Sequence, residues 1–144
     1  MTGTSKSFGL FALALAVSVL LFSACEPREQ VKWDSFNAEK LEAAKAGGKS
    51  SLVYFYAAWC APCMKMKYDT FTDPRVIEAL GGFARLKADM SFSRSKKVQE
   101  LSYAFQIRAI PTMIWIDSSG RERSRMLGYI SAEQLLSYLD MFRP

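Results

Sequence analysis

The apolar positions of this chain fall into a few short buried runs separated by thin amphipathic stripes. Leu52-Val53-Tyr54-Phe55-Tyr56 is continuous, β-branched and aromatic, the pattern of a strand covered on both faces. Before it, Asn37 can cap a helix running to Ala46, with Phe36 and Leu41 spaced as a hydrophobic staple and Gly47-Gly48 as the stop. After it, a helix is expected from Cys60 to about Tyr68, then a short one opened by Asp73-Pro74 and ended by Gly81-Gly82. Phe83 to Asp89 reads as a second strand, parallel to the first because helix joins them. Ser95 to Phe105 is a helix with Val98, Leu101 and Phe105 on one face. Thr112 to Ile116, a turn at Asp117-Ser118-Ser119-Gly120, and Glu122 to Leu127 make an antiparallel hairpin. Ser131 and Gln134 form a capping box for a last helix with Leu135, Leu136, Leu139 and Phe142 inward. The order is βαβαββα with one extra N-terminal helix. It predicts an α/β fold in which parallel strands and a C-terminal hairpin share one mixed sheet flanked by helices.

The N-terminus has a different pattern. Phe8 to Phe22 is an apolar run behind a short region carrying Lys6, followed by Ser23-Ala24-Cys25. It is on the short side for a spanning helix, which needs about 20 residues, and suits the core of an export signal. Ordinary cleavage before Cys25 would place Phe22 where a small residue is wanted. The segment instead resembles a bacterial lipoprotein signal, which implies lipidation of Cys25 and its retention as the first residue of the mature chain. An uncleaved anchor and a plain secretory peptide with an incidental Cys are the alternatives; all three agree on export. Residues 1–24 are therefore read as signal, 25–30 as a polar tether and 31–144 as one domain. Glu26, where an Asp would hold such a lipoprotein at the inner membrane, points to the outer one.

Composition narrows the chemistry. At 144 residues and 50% hydrophobic the chain can bury one real core. It contains no His, which removes His acid-base catalysis, Cys-His nucleophile pairs and His-ligated metals. The net charge of +5 is dispersed and no nucleic-acid module is present, so no nucleic-acid partner is expected. Arg121, Arg123 and Arg125 alternate on one strand face, either to attract an acidic partner or as a solvated edge.

What remains is thiol chemistry, placed where the buried strand ends. Cys60 and Cys63 are separated only by Ala61 and Pro62, and Pro62 fits the first turn of a helix. With Cys60 at or just before that helix N-terminus, free N–H groups and the helix dipole stabilise its thiolate. Cys63, one turn along, is close enough to form a disulfide with it. Such pairs also hold zinc, but zinc takes four ligands and this chain offers two thiols there, so neither metal nor other cofactor is expected.

Trp59-Cys60-Ala61-Pro62-Cys63 and Ile110-Pro111-Thr112 resemble the active-site motif and the cis-proline loop of the thioredoxin superfamily. The resemblance runs from about Val31 to the C-terminus. Within that superfamily, Thr70-Phe71-Thr72-Asp73-Pro74 is similar to the C-terminal periplasmic domain of DsbD-type thiol-disulfide interchange proteins. It implies a thioredoxin-like fold in which Cys60 is the nucleophile and Cys63 resolves the mixed disulfide. It also implies a cis bond at Pro111, pairing of the Ile110 backbone with substrate, and substrate contacts from Trp59, Ala61, Pro62, Ile110 and Pro111. Trp59 could equally be core, and Gly128 falls at a family position that flanks the site. The implied partners are disulfide-containing envelope proteins, a DsbD-type membrane electron donor and a membrane reached through the lipid anchor.

Two departures stand out. The superfamily commonly has a buried Asp six residues before the first Cys, where this chain has Tyr54, and the DsbD-type acidic residue after the motif is replaced by Lys67. Lys65 and Lys67 would favour thiolates if near them. The expected activity is reduction of protein disulfides in the envelope. Alternatives are a cytochrome c maturation reductant, a Cu(I) carrier using Cys60, Cys63 and Met64, Met66 or Met90, and a scaffold with an idle disulfide.

Overall fold

The computed structural model describes residues 31–142. The expected signal, Cys25 and the tether lie outside the described residues. Along the chain come β1 (Asp34–Ser35), α1 (Ala38–Ala46), β2 (Ser51–Tyr56), α2 (Ala61–Tyr68), α3 (Pro74–Ala79), a 3-10 turn (Leu80–Gly82), β3 (Ala84–Asp89), α4 (Lys96–Ala104), β4 (Thr112–Ile116), β5 (Glu122–Leu127) and α5 (Ala132–Met141).

These strands form one mixed sheet in the order β1-β3-β2-β4-β5. β1 and β2 both run parallel to β3, while β4 is antiparallel to β2 and β5 to β4. β2 is central: Val53 is opposite Leu86 on one side and Ile114 on the other. Because successive strand side chains point to opposite faces, Leu52 and Tyr54 join one core and Val53 and Phe55 the other. The first core is closed by Met66 of α2, Val76 of α3, and Leu135 and Leu139 of α5. Val98 and Leu101 of α4, with Leu41 of α1, close the second. The expected fold class is thus observed, with five strands.

β1 is the element the sequence reading lacked. It has two exposed residues, Asp34 and Ser35, and no apolar alternation; it exists because its backbone pairs with Leu86 and Lys87 of β3. Phe83, expected to open β3, instead ends the 3-10 turn and packs edge-on to Trp115 at 4.4 Å between ring centroids. The helix starts follow their caps: Asn37 accepts from the N–H of Glu39, Asp73 from Arg75 and Ser95 from Val98, and the Ser131–Gln134 capping box is complete. The arginines at the β5 edge have partners within the chain: Arg121 and Arg123 lie within ion-pair distance of Asp117, and Arg125 bonds Glu122 and the Phe105 carbonyl.

Candidate functional site

β2 delivers its C-terminal end to a tight turn that opens α2. Ala57 is buried, and its carbonyl accepts the Cys60 N–H at 3.2 Å. Cys60 is the N-cap of α2, extended at φ −86° and ψ 106°, and its Sγ accepts the N–H of Cys63 at 3.2 Å. A sulfur bonded to a helix-terminal N–H is where negative charge on that sulfur would be stabilised. Pro62 sits in the first turn of α2, where its missing N–H leaves no gap in the helix. Cys60 and Cys63 are joined as a disulfide with their Cα atoms 5.2 Å apart, inside the ordinary range for such bonds. They are only 4% and 3% exposed, packed with Ala57 and against Tyr56 and Ile110. Ala61 and Pro62, between them, are exposed.

The second sequence signature comes to the same place. The Ile110–Pro111 bond is cis, and Ile110 packs against the disulfide cluster while Pro111 is buried at the start of β4. The loop is tied down on both sides: Thr112 Oγ1 donates to the Ala109 carbonyl at 2.7 Å, and Gly128 N–H donates to the Pro111 carbonyl at 2.9 Å. Gly128 has φ 78°, a left-handed conformation that favours glycine. Trp59 is not core: it is 67% exposed, on the rim beside the disulfide. A groove of about 300 Å³ lies between Trp59 and Ile110, lined also by Met90, Ile107 and Arg108.

Behind Cys63 is a second cavity of about 350 Å³, lined by Tyr54, Tyr56, Met64, Lys67 and Lys87. Among the described residues that line it, none is a carboxylate. Tyr54 instead belongs to an aromatic group with Phe71 and Trp33, ring centroids 5.2 and 5.5 Å away. Of the two lysines expected to favour a thiolate, Lys67 reaches this cavity. Lys65 points elsewhere, bonded to Asp69, which raises its pKa, and lying 4.6 Å from the Tyr129 ring centroid. Among the described residues no cluster of three or more His, Cys, Asp or Glu side chains could hold a metal. Met66, weighed as a soft copper ligand, is fully buried in the first core.

The sequence reading missed Ser91. Its hydroxyl accepts the Ala58 N–H and its carbonyl accepts the Trp59 indole N–H, so it holds the turn that carries Cys60. Asp89-x-Ser91 after a strand is a legible turn signal, but nothing in the sequence says which segment that turn will meet.

The fold and the buried disulfide at a helix N-terminus, facing a cis-proline loop, define a dithiol–disulfide protein of thioredoxin type. The sequence model described as "Thioredoxin-like domain" matches residues 38–143, and the chain belongs to that family. It is similar to the thiol:disulfide interchange protein DsbD of Actinobacillus pleuropneumoniae, 36% identical over 104 residues that cover 71% of this chain. It spans only 18% and 17% of the length of the DsbD proteins of Salmonella paratyphi A and A. pleuropneumoniae. Its fold is that of the oxidised Neisseria meningitidis DsbD C-terminal domain, with TM-score 0.63 and 24% identity over 74% of this chain and 91% of that one. A putative disulphide-isomerase from Bacteroides thetaiotaomicron matches with TM-score 0.65 and 26% identity, covering 81% of this chain and 95% of the other.

Proposed function

We propose that this protein is a membrane-tethered thiol-disulfide oxidoreductase that reduces disulfides of bacterial envelope proteins through Cys60 and Cys63. The observation that carries the reading is the Cys60–Cys63 disulfide, with Cys60 Sγ on the Cys63 N–H at the start of α2 and Ile110 packed against the pair. In the reduced protein the Cys60 thiolate attacks one sulfur of a substrate disulfide, forming a mixed disulfide and releasing the other substrate sulfur as a thiolate, which takes up a proton. Cys63 then loses its proton and attacks Cys60 Sγ. The second substrate thiol leaves, and the protein is left with its own disulfide, two electrons poorer. Ile110 offers its backbone beside the sulfurs to an extended substrate segment, in the manner of an added strand.

A dithiol donor of the DsbD type would return the electrons, and Cys25, lipidated, would hold the domain at the envelope membrane. The similarity to DsbD proteins supports the exchange chemistry, and the apolar run from Phe8 to Phe22 ahead of Cys25 supports export. Residues 1–24 would then be the signal, 25–30 the tether and 31–144 the working domain.

The test is insulin reduction with a dithiol donor. The wild type is expected to turn over, Cys60→Ala to lose activity, and Cys63→Ala to accumulate a mixed disulfide with its substrate. A Cys60 thiol whose alkylation titrates no lower than the free-thiol pKa of about 8.5 would sink the mechanism. A reduction potential near about −120 mV, at the oxidising end of this chemistry, would reverse its direction. Cys25→Ala should abolish incorporation of labelled palmitate into the protein.

A further inference from the structure

Ser91 makes a set of contacts that the disulfide chemistry does not itself use. Its N–H donates to Asp89 Oδ1 at 2.8 Å and its hydroxyl donates to the same oxygen, forming a turn immediately after β3. The hydroxyl oxygen accepts the Ala58 N–H at 2.8 Å, and the Ser91 carbonyl accepts the Trp59 Nε1–H at 3.1 Å. Between Asp89 and Ser91, Met90 is buried and its N–H donates to the Tyr56 carbonyl at 2.7 Å. The β2–β3 pairing is thus continued past both strand ends, first by backbone and then by the Ser91 side chain. Its target is the turn that positions Cys60.

Trp59 gains little burial from this arrangement, yet its indole is held in one orientation. An apolar ring kept in solvent with its polar edge satisfied forms a firm contact surface with little entropy left to lose on binding. The groove lined by Trp59, Met90, Ile107, Arg108 and Ile110 lies on the inner side of that ring.

We propose that Asp89 and Ser91 are positioning residues for thiol–disulfide exchange, holding the Ala58–Trp59 turn so that Trp59 is a fixed wall of the groove that receives a protein substrate beside its cystine. The inference deepens the oxidoreductase reading and rests on it. No electron or proton of the exchange passes through either residue. A small disulfide needs only to reach Cys60 Sγ, whereas a protein disulfide also needs the groove, so comparing the two separates positioning from thiol reactivity.

The experiment measures second-order rate constants of the full-length reduced protein with insulin and with dithiodipyridine, for wild type, Ser91→Ala, Ser91→Thr, Asp89→Asn and Asp89→Ala. In Ser91→Ala the ratio of insulin to dithiodipyridine rates is expected to fall about fivefold, the size of one net hydrogen bond. Ser91→Thr, which keeps the hydroxyl, should restore it. Asp89→Ala should follow Ser91→Ala, and Asp89→Asn, which keeps an acceptor oxygen, should lie between. Acrylamide quenching of tryptophan emission should change with the ratio, because Trp59 is the exposed tryptophan among the described residues. An unchanged ratio in Ser91→Ala and Asp89→Ala, or two rates that fall together, would overturn the proposal. A wild type that exchanges with dithiodipyridine but with no protein disulfide would also overturn it. One whose thiols exchange with neither would bring down the oxidoreductase reading beneath it.

Discussion

At Gly128 the chain turns with φ 78° and hands its N–H to the Pro111 carbonyl, and a Cβ there would meet nothing within 4 Å. The cost of a side chain is therefore conformational rather than steric. Gly128→Ala is expected to lower stability by about 1–2 kcal/mol, read from the urea midpoint, with no repacking of the core. Ile110 and Pro111 were marked as site residues only by the resemblance of Ile110-Pro111-Thr112 to the cis-proline loop, whereas Cys60, Cys63 and Pro62 were legible one by one, because each carries its chemistry or backbone restriction in its own side chain. Trp59 and Tyr54 were not. A tryptophan beside a buried strand reads equally as core or rim, and only the structure shows this ring exposed, with its indole N–H on the Ser91 carbonyl. Tyr54 could be seen as a departure from the family pattern, but its aromatic neighbours Trp33 and Phe71 are distant in sequence.

At the scale of elements, the caps carried most of the boundary information. Asp73 shows how local such a signal is: its carboxylate accepts the Arg75 N–H at 2.8 Å, pairs with the Arg75 guanidinium, and opens α3. The Arg75 side-chain bond, opposed by some desolvation, holds the Asp73 pKa below its ordinary 3.8. A depressed carboxylate contributes stability that is fully present above the unfolded pKa and is lost as pH falls through the folded one. Urea midpoints taken from pH 7 downward should therefore drop below about pH 4 more steeply in wild type than in Asp73→Asn, which keeps the cap and removes the charge. Equal slopes would show that this carboxylate is not linked to folding. β1 is the opposite case. No cap, period or propensity marks Asp34–Ser35, and its strand character comes wholly from the β3 edge it lies against.

For the whole molecule, the sheet divides the interior into two cores that share strands but not side chains. Leu139→Ala on the α5 side should cost about 2–5 kcal/mol, because the side chain is fully buried and the neighbouring helices can only partly close the cavity. Val98→Ala lies on the other face, so in the double variant the two losses should add within about 0.5 kcal/mol. A larger discrepancy in urea unfolding would mean that the faces are coupled through β2. The sequence by itself determined the order of elements from α1 onward, the helix starts, the central strand and the Cys60/Cys63 pair, since all of these rest on spacing, capping and backbone restriction within a few residues. Only the tertiary structure decided that Ile110 packs against Cys60 and Cys63, that Lys67 and not Lys65 reaches the space behind Cys63, and that Ser91 grips the turn before Cys60. Those contacts join segments whose separation along the chain carries no periodic signal, so only the packing of the sheet and its helices brings them together.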